Sequence, residues 1–188
     1  MSLRENNIYF FLVVIALISG LLVKFTGLVE EHQSLVPENS PDYFSENYIK
    51  WEMNERGTVK NKLLSAKITH FSNDGTTHTV KPVMSFYNEK SLPWVVTAES
   101  AILSADGKDL LLQGVVAINR EKSVGYNQLT INTRELKVKP ETSYAETTEW
   151  AELISPPNKT TGIGMKMTYI EPINIELLAN VQGNYETK

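Results

Sequence analysis

In several segments between residues 43 and 181, apolar residues recur at every second position rather than with the 3.6-residue period of a helix. Where the pattern begins, Ile49, Trp51 and Met53 alternate with Lys50 and Glu52. Successive side chains of a β-strand point to opposite faces, so this alternation is typical of strands with one buried face. Further predicted strands with this pattern lie at 64–68, 110–118, 129–133, 136–138, 163–169 and 173–181. The sequence therefore predicts a mainly β domain of antiparallel strands.

Two short turn signals connect predicted strands. Asp74-Gly75 and Asp106-Gly107 are typical of β-hairpins, because glycine reaches positive φ without a steric penalty. The residues around these two turns recur 32 positions apart, which fits either two similar hairpins or a stack of similar antiparallel units. Residues 94–103 also fit a short helix, but the run of β-formers that starts at Trp94 favours a strand.

The amino-terminal region contains an apolar run, because residues 6–23 carry no charge. As a helix this run would span roughly 27 Å, close to the hydrocarbon thickness of a bilayer. A cleaved signal peptide is the alternative, but the run is long for one and no small-x-small cleavage site follows it. We favour an uncleaved single-pass anchor with a cytoplasmic N terminus, although Lys24 argues slightly against this orientation. The predicted segments are a cytoplasmic tail at 1–7, a transmembrane helix at 8–25, a linker at 26–42 and a β domain at 43–188.

The composition excludes several classes of function. The net charge of −4 provides no basic surface for nucleic acid, and the absence of cysteine excludes disulfides and thiolate metal sites. His32, His70 and His78 lie in different predicted settings, and the sequence contains no H-E-x-x-H or G-x-S-x-G motif. We therefore expect no cofactor, no metal site, no nucleic-acid partner and no enzymatic activity.

Several short motifs follow one another behind the predicted anchor. They are Pro41-Asp42-Tyr43, Glu55-Arg56-Gly57, Pro82-Val83, LPWVVTAESA at 92–101, LLLQGVV at 110–116 and Gly164-Met165-Lys166-Met167. In this order and spacing they resemble the LptC family of bacterial lipopolysaccharide transport, over nearly the whole chain. Residues 92–101 resemble the family's P-x-W-x-V/I-x-A-x-x-A stretch, and residues 110–116 resemble its L-x-L-x-G-x-V strand. The sequence departs from the family at Pro156-Pro157 and at residues 159–161.

The resemblance implies a fold and a pathway. We expect an antiparallel, V-shaped, lengthwise-open β-jellyroll similar to LptA, in which domains stack edge to edge. We expect the β domain to be periplasmic and the anchor to lie in the inner membrane. An ABC transporter, with LptF and LptG in the membrane and LptB as its ATPase, is expected to deliver lipopolysaccharide. The protein is expected to pass this lipid to periplasmic LptA for transport to the outer membrane, without catalytic activity of its own.

The same resemblance assigns candidate site residues. The inner strand faces are expected to bind acyl chains, and the candidates are Trp51, Met53, Met84, Phe86, Val96, Leu112, Ile118, Leu129, Ile131, Met165, Met167, Ile175 and Leu177. Gly57 is expected near the transporter end, and Gly164, Ile173 and Ile175 near the LptA end. The small residues Ser19 and Gly20 would let the anchor helix pack against LptF or LptG and tune ATP hydrolysis.

Two alternatives from other classes remain open. The same apolar residues would also line a closed β-sandwich, which would make the protein a membrane-tethered scaffold without a lipid path. A tethered envelope hydrolase would need a carboxylate cluster or a serine–histidine pair in a cleft, and no motif in the sequence predicts either.

Overall fold

The computed structural model describes residues 3–26, 40–88, 91–170 and 172–185. Contacts divide the chain into two units, residues 1–38 and 39–188. The described residues of the first unit form helix α1 (Leu3–Thr26). The strands of the second unit are β1 (Tyr43–Met53), β2 (Val59–His70), β3 (Thr77–Val80), β4 (Val83–Asn88), β5 (Ser91–Thr97), β6 (Ser100–Leu103), β7 (Leu110–Arg120), β8 (Leu129–Lys139), β9 (Tyr144–Ser155), β10 (Asn158–Thr168) and β11 (Asn174–Asn184). One 3-10 turn, Pro140–Thr142, connects β8 to β9.

Helix α1 contains the predicted segment 8–25 and begins five residues before it. Its apolar side chains Ile8, Leu17 and Leu22 are each more than half exposed. Within the described residues, no helix combines the length and the apolarity needed to cross a membrane. Most of the predicted linker lies outside the described residues, and β1 begins at the residue where the sequence predicts the β domain.

The sheet is an antiparallel meander once two interrupted strands are each counted as one. Strands β3 and β4 form one broken strand, interrupted at Lys81-Pro82, and both pair with β2. Strands β5 and β6 form a second broken strand, interrupted at Ala98-Glu99, and both pair with β7. The prediction of a mainly β, antiparallel domain is therefore confirmed, as is the choice of strand over helix for residues 94–103.

A line of irregular residues crosses this sheet near the middle of its strands, and we call it the bend line. It consists of residues with positive φ, at Asn47, Lys81, Gly114, Glu135, Gly164 and Asn180. Strand register shifts at several of these positions, for example between Leu112 and Val115 where β7 meets β8. Because such bulges bend a strand and increase its twist, a line of them folds the sheet over on itself. Half A is the side of the bend line that contains β4 and β5, and half B is the side that contains β3 and β6.

The core lies between the two halves. Met84, Val96 and Ile118 belong to half A, and they pack in one cluster with Leu136 and Val138 of half B. Each long strand thus contributes one segment to each half. The inner side chains of half A pack against the inner side chains of half B. This arrangement buries apolar side chains without a second sheet.

The two predicted hairpin turns lie side by side at the end of half B. Asp74 accepts hydrogen bonds from the backbone N–H and the hydroxyl of Thr76, and these bonds lower the pKa of Asp74. Asp106 accepts from the Ser104 hydroxyl and the Lys108 N–H, with the same effect on its pKa. A Cβ placed on Gly75 would lie 2.7 Å from the Ala105 Cβ, so the two turns are in contact. The 32-residue repeat therefore corresponds to two similar, adjacent hairpin turns.

Candidate functional site

The centre of the interior is tightly packed. Leu112, Ile131 and Met165 are completely buried there. The cavity that remains between the two halves measures about 20 Å³ and is lined by Met84, Met167 and their neighbours. This volume is close to that of one water molecule, so the centre has no room for an acyl chain in this conformation.

The interior opens at the amino-terminal edge of the sheet. Two adjoining cavities of about 510 and 440 Å³ lie there, and both are lined by Glu52, Asn61, Phe86, Gly107 and Pro140. We call them together the edge groove. It runs between the inner face of half A and the strands and end loops of half B, and its volume is within the range of small-molecule sites.

The groove exists because the inner positions of β1 and β2 do not fill the space between the halves. Lys50 lies opposite Leu63, and Leu63 lies opposite the core residue Met84, so Lys50 belongs to the inner face. Phe86 and Tyr169 make ring contact at 5.6 Å between centroids, and they bridge the two halves where the groove meets the packed centre. These two rings therefore separate the groove from the core.

The groove combines polar and apolar surface. At its mouth the Lys60 ammonium lies 3.4 Å from the Glu52 carboxylate, and both side chains are largely exposed. Burial raises the pKa of Tyr169, and a hydrogen bond with Ser143 opposes this shift. Apolar rings deep in the groove and charges at its mouth are the arrangement that an amphiphile requires. Among the described residues, no group of three or more His, Cys, Asp and Glu side chains could hold a metal ion.

Most of the predicted inner-face residues lie in the interior. The fully buried ones are Met84, Val96, Leu112, Ile118, Ile131, Met165 and Met167, and the half-buried ones that pack against them are Phe86, Leu129, Ile175 and Leu177. Of all these, Phe86 lines both cavities of the edge groove and Met84 lines one of them. Contact of these residues with lipid stays a prediction.

Trp51 and Met53 correct the predicted inner face. Trp51 lies opposite Lys62, which lies opposite Ser85, and this row is on the outer face of the sheet. The two side chains are 49% and 53% exposed, and the Lys62 ammonium lies 4.3 Å from the Trp51 ring centroid. The prediction was wrong because alternation of apolar and polar residues distinguishes the two faces of a strand but does not show which face is the inner one. In β1 the inner face is the charged one, with Lys50 and Glu52.

Sequence reasoning also missed several groove residues. Tyr43 and Tyr48 of β1 line the groove, together with Leu63 and Tyr169. Tyr43 and Tyr48 lie on either side of Asn47, whose φ of 51° interrupts the alternation, so the two positions do not fit one period. Tyr169 continues the alternation of Met165 and Met167, and this pattern could have placed Tyr169 on the inner face.

The predicted partner-contact residues lie in four different places. Gly57 is in the β1–β2 turn with φ +77°, and Gly164 interrupts β10 with φ +73°. Ile173 and Ile175 are half-buried against the core at the start of the last strand. Ser19 and Gly20 lie in α1, and apart from adjacent residues and the backbone of α1 no described atom comes within 4 Å of a Cβ built on Gly20.

The sequence matches a known family over most of its length. The family described as "Lipopolysaccharide-assembly, LptC-related" matches residues 9–186. This chain belongs to the LptC family. The resemblance found in the sequence motifs is therefore confirmed.

Individual proteins are also similar to this chain. The lipopolysaccharide export system protein LptC of Escherichia coli (strain K12) is 26% identical over 156 residues, which cover 82% of this chain and 80% of that protein. The LptC of Shigella flexneri matches with the same identity and coverage. Among solved structures, LptH of Pseudomonas aeruginosa, the LptA homologous periplasmic component of its lipopolysaccharide transport device, aligns with a TM-score of 0.49 at 7% identity. That alignment covers 81% of this chain and 99% of LptH.

Proposed function

We propose that this protein binds lipopolysaccharide between the two halves of its sheet and hands it from the LptB–LptF–LptG transporter to LptA. Membership of the LptC family supports the pathway. The observation that carries the binding step is the edge groove, because it opens directly onto the apolar interior at Phe86. A sheet that folds over at the bend line is also the basis on which we propose a V-shaped trough.

The physical chemistry of the cargo explains why a groove beside a core is useful. Each buried methylene of an acyl chain contributes about 0.8 kcal/mol, so several chains need a continuous apolar surface. In the described conformation that surface is closed beyond Phe86 and Tyr169. We propose that lipid enters by separating these rings and displacing the inner side chains. Met84, Met165 and Met167 suit such a wall, because thioether side chains are flexible.

Photo-crosslinking tests the lipid path. A crosslinking amino acid is placed at Phe86 in the groove, at Met167 in the packed core, or at Trp150, which is 45% exposed. In membranes supplied with lipopolysaccharide, transporter and ATP, we expect ATP-dependent adducts at positions 86 and 167 and none at 150. Absence of adducts at both inner positions, in a protein still bound to its partners, would contradict the proposal.

We propose that residues 8–25 form a single-pass anchor in the inner membrane, with residues 1–7 in the cytoplasm and 43–188 in the periplasm. Residues 6–23 carry no charge, and the side chains of Phe10, Leu17 and Val23 are each more than half exposed. A helix that is apolar on all sides needs an apolar environment. Extraction with alkaline carbonate should leave the protein in the membrane pellet, and substitution of Leu17 by lysine should release it. Release of the unchanged protein would contradict the anchor.

The two ends of the meander support edge-to-edge docking. Among the described residues, β1 pairs only with β2 and β11 pairs only with β10, so each has one unpaired edge. Exposed strand edges bind further strands through backbone hydrogen bonds. We propose that the β11 edge, near Gly164, Ile173 and Ile175, binds LptA. We propose that the β1 edge, beside Gly57, meets the transporter.

Neighbouring proline substitutions in β11 test this docking. Backbone N–H groups along a strand alternate between its two edges, so proline at Ile175 and at Glu176 removes one donor facing β10 and one facing outward. We expect one of the two variants to keep the β10–β11 pairing and still lose LptA. Valine at Ile175 should bind normally. Equal LptA capture by both folded proline variants would contradict docking through this edge.

We further propose that α1 tunes ATP hydrolysis by packing against LptF or LptG through Ser19 and Gly20. Small residues allow close approach of helices in a bilayer. Replacing α1 by an unrelated single-pass helix should change the ATPase rate of the assembled complex. An unchanged rate in a complex of normal composition would reject this role.

A scaffold without a lipid path is the second candidate. The completely buried Leu112, Ile131 and Met165 favour it, because they fill the centre of the interior. Under this alternative the edge groove ends at Phe86, and crosslinks form there or nowhere. The position-167 crosslinker therefore separates the two functions.

A further inference from the structure

One positive charge is enclosed inside the β domain. Arg120 is the last residue of β7 and lies opposite Leu129 on the inner face of half A. Its side chain is only 8% exposed. Arginine is almost never buried to this extent unless a partner compensates its charge.

The Arg120 guanidinium contacts two aromatic rings in the described residues but has few hydrogen-bond acceptors there. Its central carbon lies 4.6 Å from the Trp94 ring centroid and 5.0 Å from that of Tyr126. Nη2 donates one long hydrogen bond of 3.5 Å to the Asn127 carbonyl. Nε and Nη1 are buried and have no hydrogen-bond partner among the described residues. No described carboxylate forms an ion pair with Arg120, and the contacts of its guanidinium within the described part of the chain are two rings and one carbonyl.

A second unpartnered donor lies in the adjacent loop. The Ser123 hydroxyl is also buried without a hydrogen-bond partner in the described part of the chain. The loop is held in place by two backbone hydrogen bonds between Ser123 and Tyr126, of 3.1 and 3.0 Å, around Gly125 with φ +80°. Tyr126 of this loop is one of the two rings that contact Arg120. The Ser123–Tyr126 hydrogen bonds therefore hold Ser123 in the same loop whose Tyr126 ring contacts Arg120.

The guanidinium is also close to the edge groove. Trp94, on which it stacks, lines the cavity of about 510 Å³, together with Lys60 at the mouth. Arg120 does not itself line this cavity, and its link to the groove is its contact with Trp94. Lys60 is already paired with Glu52, and Glu141 also lines this cavity, so the positive charge that favours an anionic group on the ligand is that of Arg120.

We propose that Arg120 binds a phosphate group carried by the amphiphile in the edge groove, which makes it a phosphate-recognition residue. The inference rests on the proposed function for the identity of the lipid, since lipopolysaccharide carries phosphates on its sugar backbone. Phosphate fits the site because its oxygens accept two parallel hydrogen bonds from Nε and an Nη of one guanidinium. A hydroxyl such as that of Ser123 supplies a further donor to such an anion. Binding of the anion thereby satisfies donors that are otherwise buried without partners, and the energetic cost of leaving them so disappears.

Lipids with and without phosphate test this inference. The full chain is measured against lipid A, against the same lipid after removal of its phosphates, and against inorganic phosphate alone. We expect the unchanged protein to bind lipid A roughly tenfold more tightly than the dephosphorylated lipid. Arg120→Met should reduce this ratio to near one, and Arg120→Lys should leave an intermediate ratio. Lys122→Met removes an exposed charge from the same loop and should keep the full ratio.

The remaining outcomes separate this inference from the proposed function. A full phosphate preference in a folded Arg120→Met variant would overturn the inference and leave lipid binding intact. Reduced stability of that variant with an unchanged preference would show that Arg120 only braces Trp94, which also overturns it. If the unchanged protein binds neither lipid, the proposed function fails. Stabilisation by inorganic phosphate that depends on Arg120 would then still support the anion site, and its absence would reject it.

Discussion

Between β7 and β10 the two halves of the sheet meet in a filled core, whereas between β1 and β4 the same two halves leave a groove. The inner positions of the central strands are large and apolar, as at Leu112, Ile131 and Met165, and all three are completely buried. The inner positions of the edge strands include Lys50 and Glu52, which cannot be buried without partners. One sheet thus forms a stable centre and an accessible edge.

This contrast separates the stability of the protein from its proposed binding function. Substitutions at the centre should act mainly on the free energy of unfolding. Substitutions at the edge should act mainly on ligand contact. Phe86 and Tyr169 stand at the boundary and should influence both.

The largest effect is expected at the centre. Leu112→Ala should lower the free energy of unfolding by about 3 kcal/mol, because it leaves a cavity in a completely buried site. Trp51→Ala, on the exposed outer face of β1, should cost about 1 kcal/mol or less, mainly through its lost contact with Lys62. Urea unfolding followed by circular dichroism measures both. Equal losses would remove the distinction between centre and edge.

The bend line should be the next most sensitive region. Gly114 has φ +76°, and a Cβ there would lie 2.9 Å from the Glu99 Cβ and closer still to the Glu99 carboxylate. Gly114→Ala should therefore destabilise the protein by about 2 kcal/mol. Gly57→Ala is the matched control, because its φ of +77° is similar and nothing lies within 4 Å, so about 1 kcal/mol is expected. If the two variants unfold at the same urea concentration, the contact with Glu99 has no energetic role.

Removal of the Phe86 ring should open the boundary between the groove and the core. Phe86→Ala should cost about 2 kcal/mol, since the side chain is half-buried against the core and contacts Tyr169. It should also let lipid reach a crosslinker at Met167 without ATP. Trp150→Ala is the control, because Trp150 is 45% exposed and lines neither cavity of the edge groove, and it should leave ATP-dependent labelling unchanged. Unaltered labelling in Phe86→Ala would show that this ring does not close the path.

The smallest effect concerns two ion pairs and the response to acid. Hydrogen bonds from Lys159 and Asn132 lower the pKa of the buried Glu152. A lowered folded-state pKa contributes stability above the unfolded-state value of about 4.3, and this stability is lost as pH falls through the folded-state pKa. Glu152→Gln should therefore cost about 1 kcal/mol at pH 7 and less in acid.

The exposed pair at the groove provides the comparison for this pH dependence. Glu52→Gln, beside Lys60 at 3.4 Å, should change stability by less than about 0.5 kcal/mol at any pH. Thermal unfolding at pH 7 and at pH 3 distinguishes the two sites. A cost of Glu152→Gln that stays constant with pH would contradict the assigned cause of its stabilisation.

Much of the local structure could be predicted from the residues. The alternation at 163–169 and 173–181 predicted strands that became β10 and β11, and the two Asp-Gly pairs predicted hairpin turns. Short motifs such as LPWVVTAESA at 92–101 were enough to indicate the family. Each of these predictions depends on residues near one another in the sequence, where period and turn chemistry act directly.

The face assignment of β1 and the extent of the groove could not be predicted in this way. Trp51 and Met53 alternate as regularly as Met165 and Met167 do, yet the first pair lies outside and the second pair is buried. Arg120 gave no signal either, since a lone arginine at a strand end is ordinary. Whether a residue such as Trp51, Met53 or Arg120 faces the interior depends on the strands packed around it. Those strands come from distant segments of the chain.

The sequence by itself determined an apolar helix, a succession of two-faced strands and membership of a transport family. Only the tertiary structure decided that the strands fold over along the bend line, that the centre closes and that the edge stays open. The physical reason is that a strand's faces are defined by its own alternation, whereas the space between two faces depends on the volumes of side chains brought together from distant parts of the chain. The same distant contacts enclose Arg120 beside Trp94, where its charge has no described carboxylate as a partner.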